Sequence, residues 1–221
     1  MKLLTVIIAR SIWLFPIADW NPRGRSMIPV FFSLVERYKF IKYPSINEID
    51  WQKGIKFEDG TFTTNAGENL TVTLTVYPDG VTADTRSSTQ DSDEFLNSAL
   101  NVLGDDFHYV PYETILRKKV YLSELHVRME QPISGIHRGL ERFIHEVSTT
   151  LPYENVSFRM GITFATDSTH PGTQLQFRIE PAAGFPFSEN RIYSHAPVQT
   201  DIHLGLLQKF ETGFLGSSPS N

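Results

Sequence analysis

Residues 70–103 read LTVTLTVYPDGVTADTRSSTQDSDEFLNSALNVL. Leu70, Val72, Leu74 and Val76 alternate with Thr71, Thr73, Thr75 and Tyr77, the period-two pattern of a strand with one oily and one wet side. Pro78-Asp79-Gly80 is turn chemistry, and Val81 to Arg86 returns as the second strand of a hairpin. After the polar run Ser87 to Asp91, the apolar positions Phe95, Leu96, Ala99, Leu100 and Leu103 fall on one side of a helix. Asp91 and Glu94 have the three-residue spacing of a capping box, which places the start of that helix near Asp91.

The same plan recurs towards the C-terminus. Val120 to Glu130 reads as a long strand, with Tyr121, Leu125, Val127 and Met129 on one side and Glu124, His126, Arg128 and Glu130 on the other. Ile136, Leu140, Phe143, Ile144, Val147 and Leu151 follow a helical period. Val156 to Phe164 and Leu175 to Ile179 predict two further strands joined at Pro171-Gly172, and a last helix from Thr200 is expected to turn Ile202, Leu206, Leu207 and Phe210 inward.

Upstream the texture is more aromatic and less regular. Residues 3–17 read as one or two strands, Met27 to Val35 fits helix or strand, and Arg37 to Tyr43 alternates. Asp59-Gly60 suggests a tight hairpin within Ile55 to Phe62. Clean alternation with single-stripe helices implies an α+β fold, an antiparallel sheet with helices packed on one face as a two-layer sandwich. Residues 1–65 are assigned to a strand-rich, aromatic N-terminal extension, 66–215 to the core and 216–221 to a loose tail.

Composition sets further bounds. The 221 residues are 40% hydrophobic and 20% charged, a globular balance, and the net charge of −5 argues against a general nucleic-acid binder. With no cysteine, disulfides, thiolate metal sites and a thiol nucleophile are excluded, which fits a reducing, cytoplasmic setting. Met1 to Ala9 has the charge-then-apolar look of an export signal, but Arg10 interrupts it, and a buried first strand is the better reading. No stretch reaches the roughly 20 apolar residues a bilayer span needs, so no membrane partner is expected.

The segment Tyr77 to Leu96, with Val35 to Phe40 and Ala196 to Leu204, resembles a family of uncharacterised small bacterial proteins. The resemblance covers about a fifth of the chain; it implies a bacterial or phage-borne origin and an intracellular domain, and brings no activity, cofactor or catalytic residue.

Candidate sites are sparse. Asp79, Asp84, Asp91, Asp93 and Glu94 form an acidic cluster that turn and helix-start chemistry explains better than a cation does. Arg86, Ser87, Ser88 and Thr89 offer hydroxyls and N–H groups at a helix start, a place for an anion, without a Gly-rich loop. The seven histidines show no zinc-ligand spacing, and no Gly-x-Ser-x-Gly or His-Glu-x-x-His occurs, so no metal, cofactor or catalytic residue is assigned. Ser194 and His195 are neighbours, which on a strand face opposite ways.

The wet side of the strands is the more informative surface. Arg128, Arg159 and Arg178 are placed there on three different strands, with His126, Gln174, Gln176, Glu124, Glu130 and Glu180. Such residues pair with one another across a sheet or receive a partner. Arg23 and Arg25, beside Trp20, make a second contact candidate. The expected function is therefore a non-enzymatic subunit or adaptor of a bacterial complex, binding a protein partner or itself. The alternatives are an enzyme or anion-binding domain with scattered site residues, and a nucleic-acid-associated subunit of an anti-phage system.

Overall fold

In the computed structural model, which describes residues 1–133, 138–150, 158–167 and 175–215, the chain runs β1 (Lys2–Leu14), α1 (Ile17–Trp20), α2 (Ile28–Tyr38), β2 (Ile55–Thr63), β3 (Asn69–Tyr77), β4 (Gly80–Thr85) and α3 (Thr89–Phe107). It continues with β5 (Lys118–Arg128), α4 (Arg138–Thr150), β6 (Ile162–Ala165), β7 (Gln176–Pro181), β8 (Arg191–Ala196) and α5 (Thr200–Phe210). These elements fall into two compact units. The N-terminal unit comprises Ile8–Leu122 with Val198–Thr200, and the C-terminal unit comprises Met1–Ile7, Ser123–Pro197 and Asp201–Asn221.

In the N-terminal unit the strands lie in the order β2-β3-β4-β1, all antiparallel. Alternation along β3 and β4 turns Val72, Leu74, Val76, Val81 and Ala83 to one side. Onto that side α2 lays Val30, Phe31, Leu34 and Tyr38, and α3 lays Phe95, Leu96, Ala99, Leu100 and Leu103. Phe95 is wedged between the rings of Tyr38 at 5.0 Å and Phe62 at 5.5 Å, edge-on to both. The turn needs Gly80, because a β-carbon there would sit 2.3 Å from the carbonyl oxygen of Trp13. Two polar tips at this core find one acceptor: Trp13 Nε1 donates to Asp93 at 2.7 Å and the Tyr121 hydroxyl at 2.9 Å, while burial beside that carboxylate pushes the Tyr121 phenol up to about 12.

The C-terminal unit repeats the plan. Its strands lie in the order β5-β8-β7-β6, again antiparallel, and Leu125, Val127, Ile179 and Ile192 turn to the side where α5 buries Leu207 and Phe210. Each unit thus runs strand, helix, three-strand meander, helix, with the first strand paired to the last. Both are α+β, with antiparallel strands and helices packed on one side.

Several expectations need correction. Two open alternatives are decided rather than overturned: residues 3–17 hold one strand with a helical turn beginning at Ile17, and Ile28 to Val35 is helical within α2. Arg37 to Tyr43 is no strand: α2 runs to Tyr38, Lys39 caps it in the left-handed region, and Lys42 bridges Glu58. Asp59-Gly60 is a bulge inside β2 and not a hairpin, since the register jumps between Phe57 opposite Leu74 and Gly60 opposite Val72. A type I′ turn needs positive φ at both residues, and only Asp59, at 57°, has it. The α3 cap sits at Ser88, whose Oγ accepts from Asp91 N–H at 3.0 Å, so the helix starts before Asp91. In α5 His203 joins Leu207 and Phe210 inward, whereas Ile202 and Leu206 point outward. Phe158 and Met160 precede β6 instead of extending it, and β8 was not foreseen as a strand. Gly135, Ile136, Leu151, Val156, Pro171-Gly172, Gln174 and the tail 216–221 lie outside the described residues.

Candidate interaction face

On the side of the C-terminal unit away from its helix-covered core, the pleat gathers polar side chains from three strands. Glu124, His126 and Arg128 come from β5, Arg191, Tyr193 and His195 from β8, and Gln176, Arg178 and Glu180 from β7. Register fixes their rows. Glu124 is opposite His195, His195 opposite Arg178, and Arg178 opposite Thr163 of β6. In the next row His126 is opposite Tyr193 and Tyr193 opposite Glu180; Arg128 and Arg191 close the end.

The contacts in this array differ in tightness. Glu124 Oε1 and His195 Nδ1 are 3.4 Å apart, and the Arg178 guanidinium donates to Gln176 Oε1 at 2.8 Å. His126 meets Tyr193 and Phe185 edge-on, each with ring centres 6.1 Å apart. Burial, reinforced by the Glu124 carboxylate, pushes the Tyr193 phenol up to about 12, so it stays protonated at neutral pH and serves as a donor. Guanidinium donors, carboxylate acceptors, imidazoles and a phenol are thus presented together on rigid strands, a surface suited to polar docking.

Arg128, Arg178 and His126 therefore share the face as the alternation implied. Arg159 does not sit on a strand; it precedes β6 with its guanidinium over the Phe187 ring. Glu130 lies past the end of β5, within 3.6 Å of the Met1 amine. Tyr193 and Arg191 were not singled out from the sequence, and His195 only as the neighbour of Ser194, although strict alternation through Ser194 would have assigned all three to one side.

The other candidates resolve differently. Trp20, taken as an exposed contact beside arginines, is 2% exposed and packs on Tyr109 at 4.8 Å. Arg25 donates to the Phe107 carbonyl at 2.8 Å, and Arg23 is exposed. At the start of α3, Arg86 is exposed, but the hydroxyls of Ser87 and Ser88 both donate to Asp91. Thr89 is buried and exchanges bonds with Thr200: Thr89 N–H to Thr200 Oγ1 at 3.1 Å, Thr200 N–H to Thr89 Oγ1 at 3.0 Å. The donors that would cradle an anion at Ser87, Ser88 and Thr89 are thus engaged within the chain. Of the acidic cluster, Asp84 holds Arg10, Asp91 the two serines, Asp93 the Trp13 and Tyr121 tips, and Glu94 the Asn65 N–H.

One arrangement imitates catalytic geometry. Ser194 Oγ and His203 Nε2 are 2.8 Å apart, both side chains fully buried. Ser194 donates its only proton to the Arg178 carbonyl at 2.7 Å, so His203 must donate Nε2–H to Ser194, leaving Nδ1 bare and without a partner. The proton runs the wrong way for a base activating a nucleophile. Burial, aided by His195, drives the His203 imidazole down to about 4 and keeps it neutral.

Among the described residues no three His, Cys, Asp or Glu side chains converge as a metal site would require, and no helix is long and apolar enough to cross a membrane. Compared with known proteins, the chain matches no family model and no curated sequence.

Proposed function

We propose that the protein is a non-enzymatic subunit that docks onto another protein, or onto a second copy of itself, through the outer side of its C-terminal unit, in a bacterial cytoplasmic complex. The observation that carries this reading is the gathering of Arg128, Arg178, Arg191, His126, His195 and Tyr193 on the wet side of paired strands whose other side holds the core. Arginine and tyrosine lose little freedom on such a scaffold and are enriched where protein surfaces meet. The bacterial setting rests on the family resemblance, and the lack of cysteine fits the compartment.

The test is the mass of the purified particle. Light scattering after gel filtration, on chain prepared with its native companions, is expected to give a mass above that of one chain. Joint Arg128→Glu and Arg178→Glu substitution is expected to return it to the single-chain mass. A wild-type particle that already has that mass overturns the reading.

A further inference from the structure

Where β5 and β8 bring Arg128 opposite Arg191, the face ends in a small open recess. Two arginines line it, each on an aromatic platform: the Arg191 guanidinium lies 4.2 Å from the Phe185 ring centre and the Arg159 guanidinium 5.0 Å from that of Phe187. Stacking holds a guanidinium plane without using its in-plane N–H groups, which leaves the Arg159 fork open at its edge, whereas Arg191 turns Nε to Glu189. Among the described residues the arginines here outnumber the carboxylates bonded to them. Glu189 alone serves two of them, 2.6 Å from Arg191 Nε and 4.0 Å from Arg128 Nη2. Arg159 makes no ion pair among the described residues. The rest of the wall is mostly apolar, with Pro132, Ile133, Met160 and Pro186.

We propose that this pocket takes a carboxylate carried on an apolar stem, presented by an acidic protein segment in which an aromatic or aliphatic side chain flanks a Glu or Asp. The inference rests on the docking reading and gives its partner a chemistry. A planar carboxylate matches an edge-on guanidinium fork, and the proline and phenyl walls suit the flanking side chain. A phosphate is the poorer fit, because among the described residues no serine or threonine hydroxyl lines the pocket.

The experiment is fluorescence anisotropy of the full chain with a labelled pentapeptide that alternates Phe and Glu, and with its Gln-for-Glu counterpart. The acidic peptide is expected to bind and the Gln peptide not. Arg159→Gln is expected to weaken binding roughly ten-fold, and Arg159→Lys to weaken it too, because a compact ammonium loses both the stack and the fork. An unchanged melting curve for these variants shows that the fold is intact. Equal affinity for both peptides, no effect of Arg159→Gln, or tighter binding of inorganic phosphate or a short oligodeoxythymidylate overturns the proposal. Particle mass reads separately: if the wild type assembles but ignores the acidic peptide, docking stands and this chemistry falls; if the peptide binds while the particle stays at single-chain mass, the pocket stands and the assembly reading falls.

Discussion

In the N-terminal unit, the slot where β1 faces β4 holds Arg10 opposite Asp84; in the C-terminal unit, the matching slot where β5 faces β8 holds Glu124 opposite His195. The first pair is closed. Arg10 grips Asp84 with two bonds of 2.6 and 2.7 Å, and the neighbouring outer positions are Thr71, Thr73, Thr75 and Thr82. The second pair is a single 3.4 Å contact, set beside Arg178 and Tyr193. One topology thus carries a tight two-bond pair in one unit and a single longer contact in the other. The inner sides differ as well. A dense aromatic cluster fills the N-terminal unit, whereas among the described residues the buried core of the C-terminal unit is built from Leu125, Val127, Met129, Ile133, Ile179, Ile192, Leu207 and Phe210, with a single aromatic ring. On the proposed reading, the N-terminal unit carries the tighter core and the C-terminal unit the docking side.

The largest predicted effect tests that division of labour. Phe95→Ala removes the ring at the centre of the N-terminal core and should cost about 4 kcal/mol in urea unfolding, whereas Phe143→Ala in α4 should stay within about 0.5 kcal/mol. Similar losses at both sites would erase the contrast. Next comes acid sensitivity. His203 takes up its proton in the unfolded chain near pH 6.5 but in the native chain only near 4, so stability should fall as pH drops through that window. The full loss is about 3 kcal/mol, and His203→Gln, which still offers Ser194 an N–H, should flatten the melting-temperature profile there. A variant that loses stability with acid as steeply as the wild type would exclude a buried neutral imidazole.

Smaller effects belong to surface and cap. Ser88→Ala removes the α3 cap and should cost about 1 kcal/mol by thermal melting. Arg10→Gln, at a partly exposed pair, should cost about 0.5 kcal/mol and leave particle mass unchanged, in contrast to the joint Arg128 and Arg178 substitution. A change of mass with Arg10→Gln would move the interface to the other unit.

Much of this was legible in the chain because its alternation is clean. Val72, Leu74 and Val76 against the threonines of β3 gave the hairpin, and Leu125 and Val127 against His126 and Arg128 gave half of the candidate face. The other half was hidden because the inner positions of β8 are Ile192, Ser194 and Ala196, of which only one is an oily signal. Ser194 is inward because it pairs with His203, and a buried histidine is invisible to a period search that counts apolar residues, which is why Ile202 and Leu206 were turned inward in its place. Trp20 misled in the reverse direction: flanking arginines suggested a surface, but Tyr109 and Phe15, distant in sequence, enclose it. The pocket at Arg159 and Arg191 depends on ring platforms that no spacing announces.

The most direct test places a photo-crosslinking amino acid at Thr163, on the outer side of the C-terminal unit opposite Arg178, and separately at Thr71, on the outer side of the N-terminal unit. Both chains are irradiated in the native host. The account predicts a discrete higher-mass adduct from position 163 and none from 71. Adducts of equal yield from both positions, or from 71 alone, would contradict it.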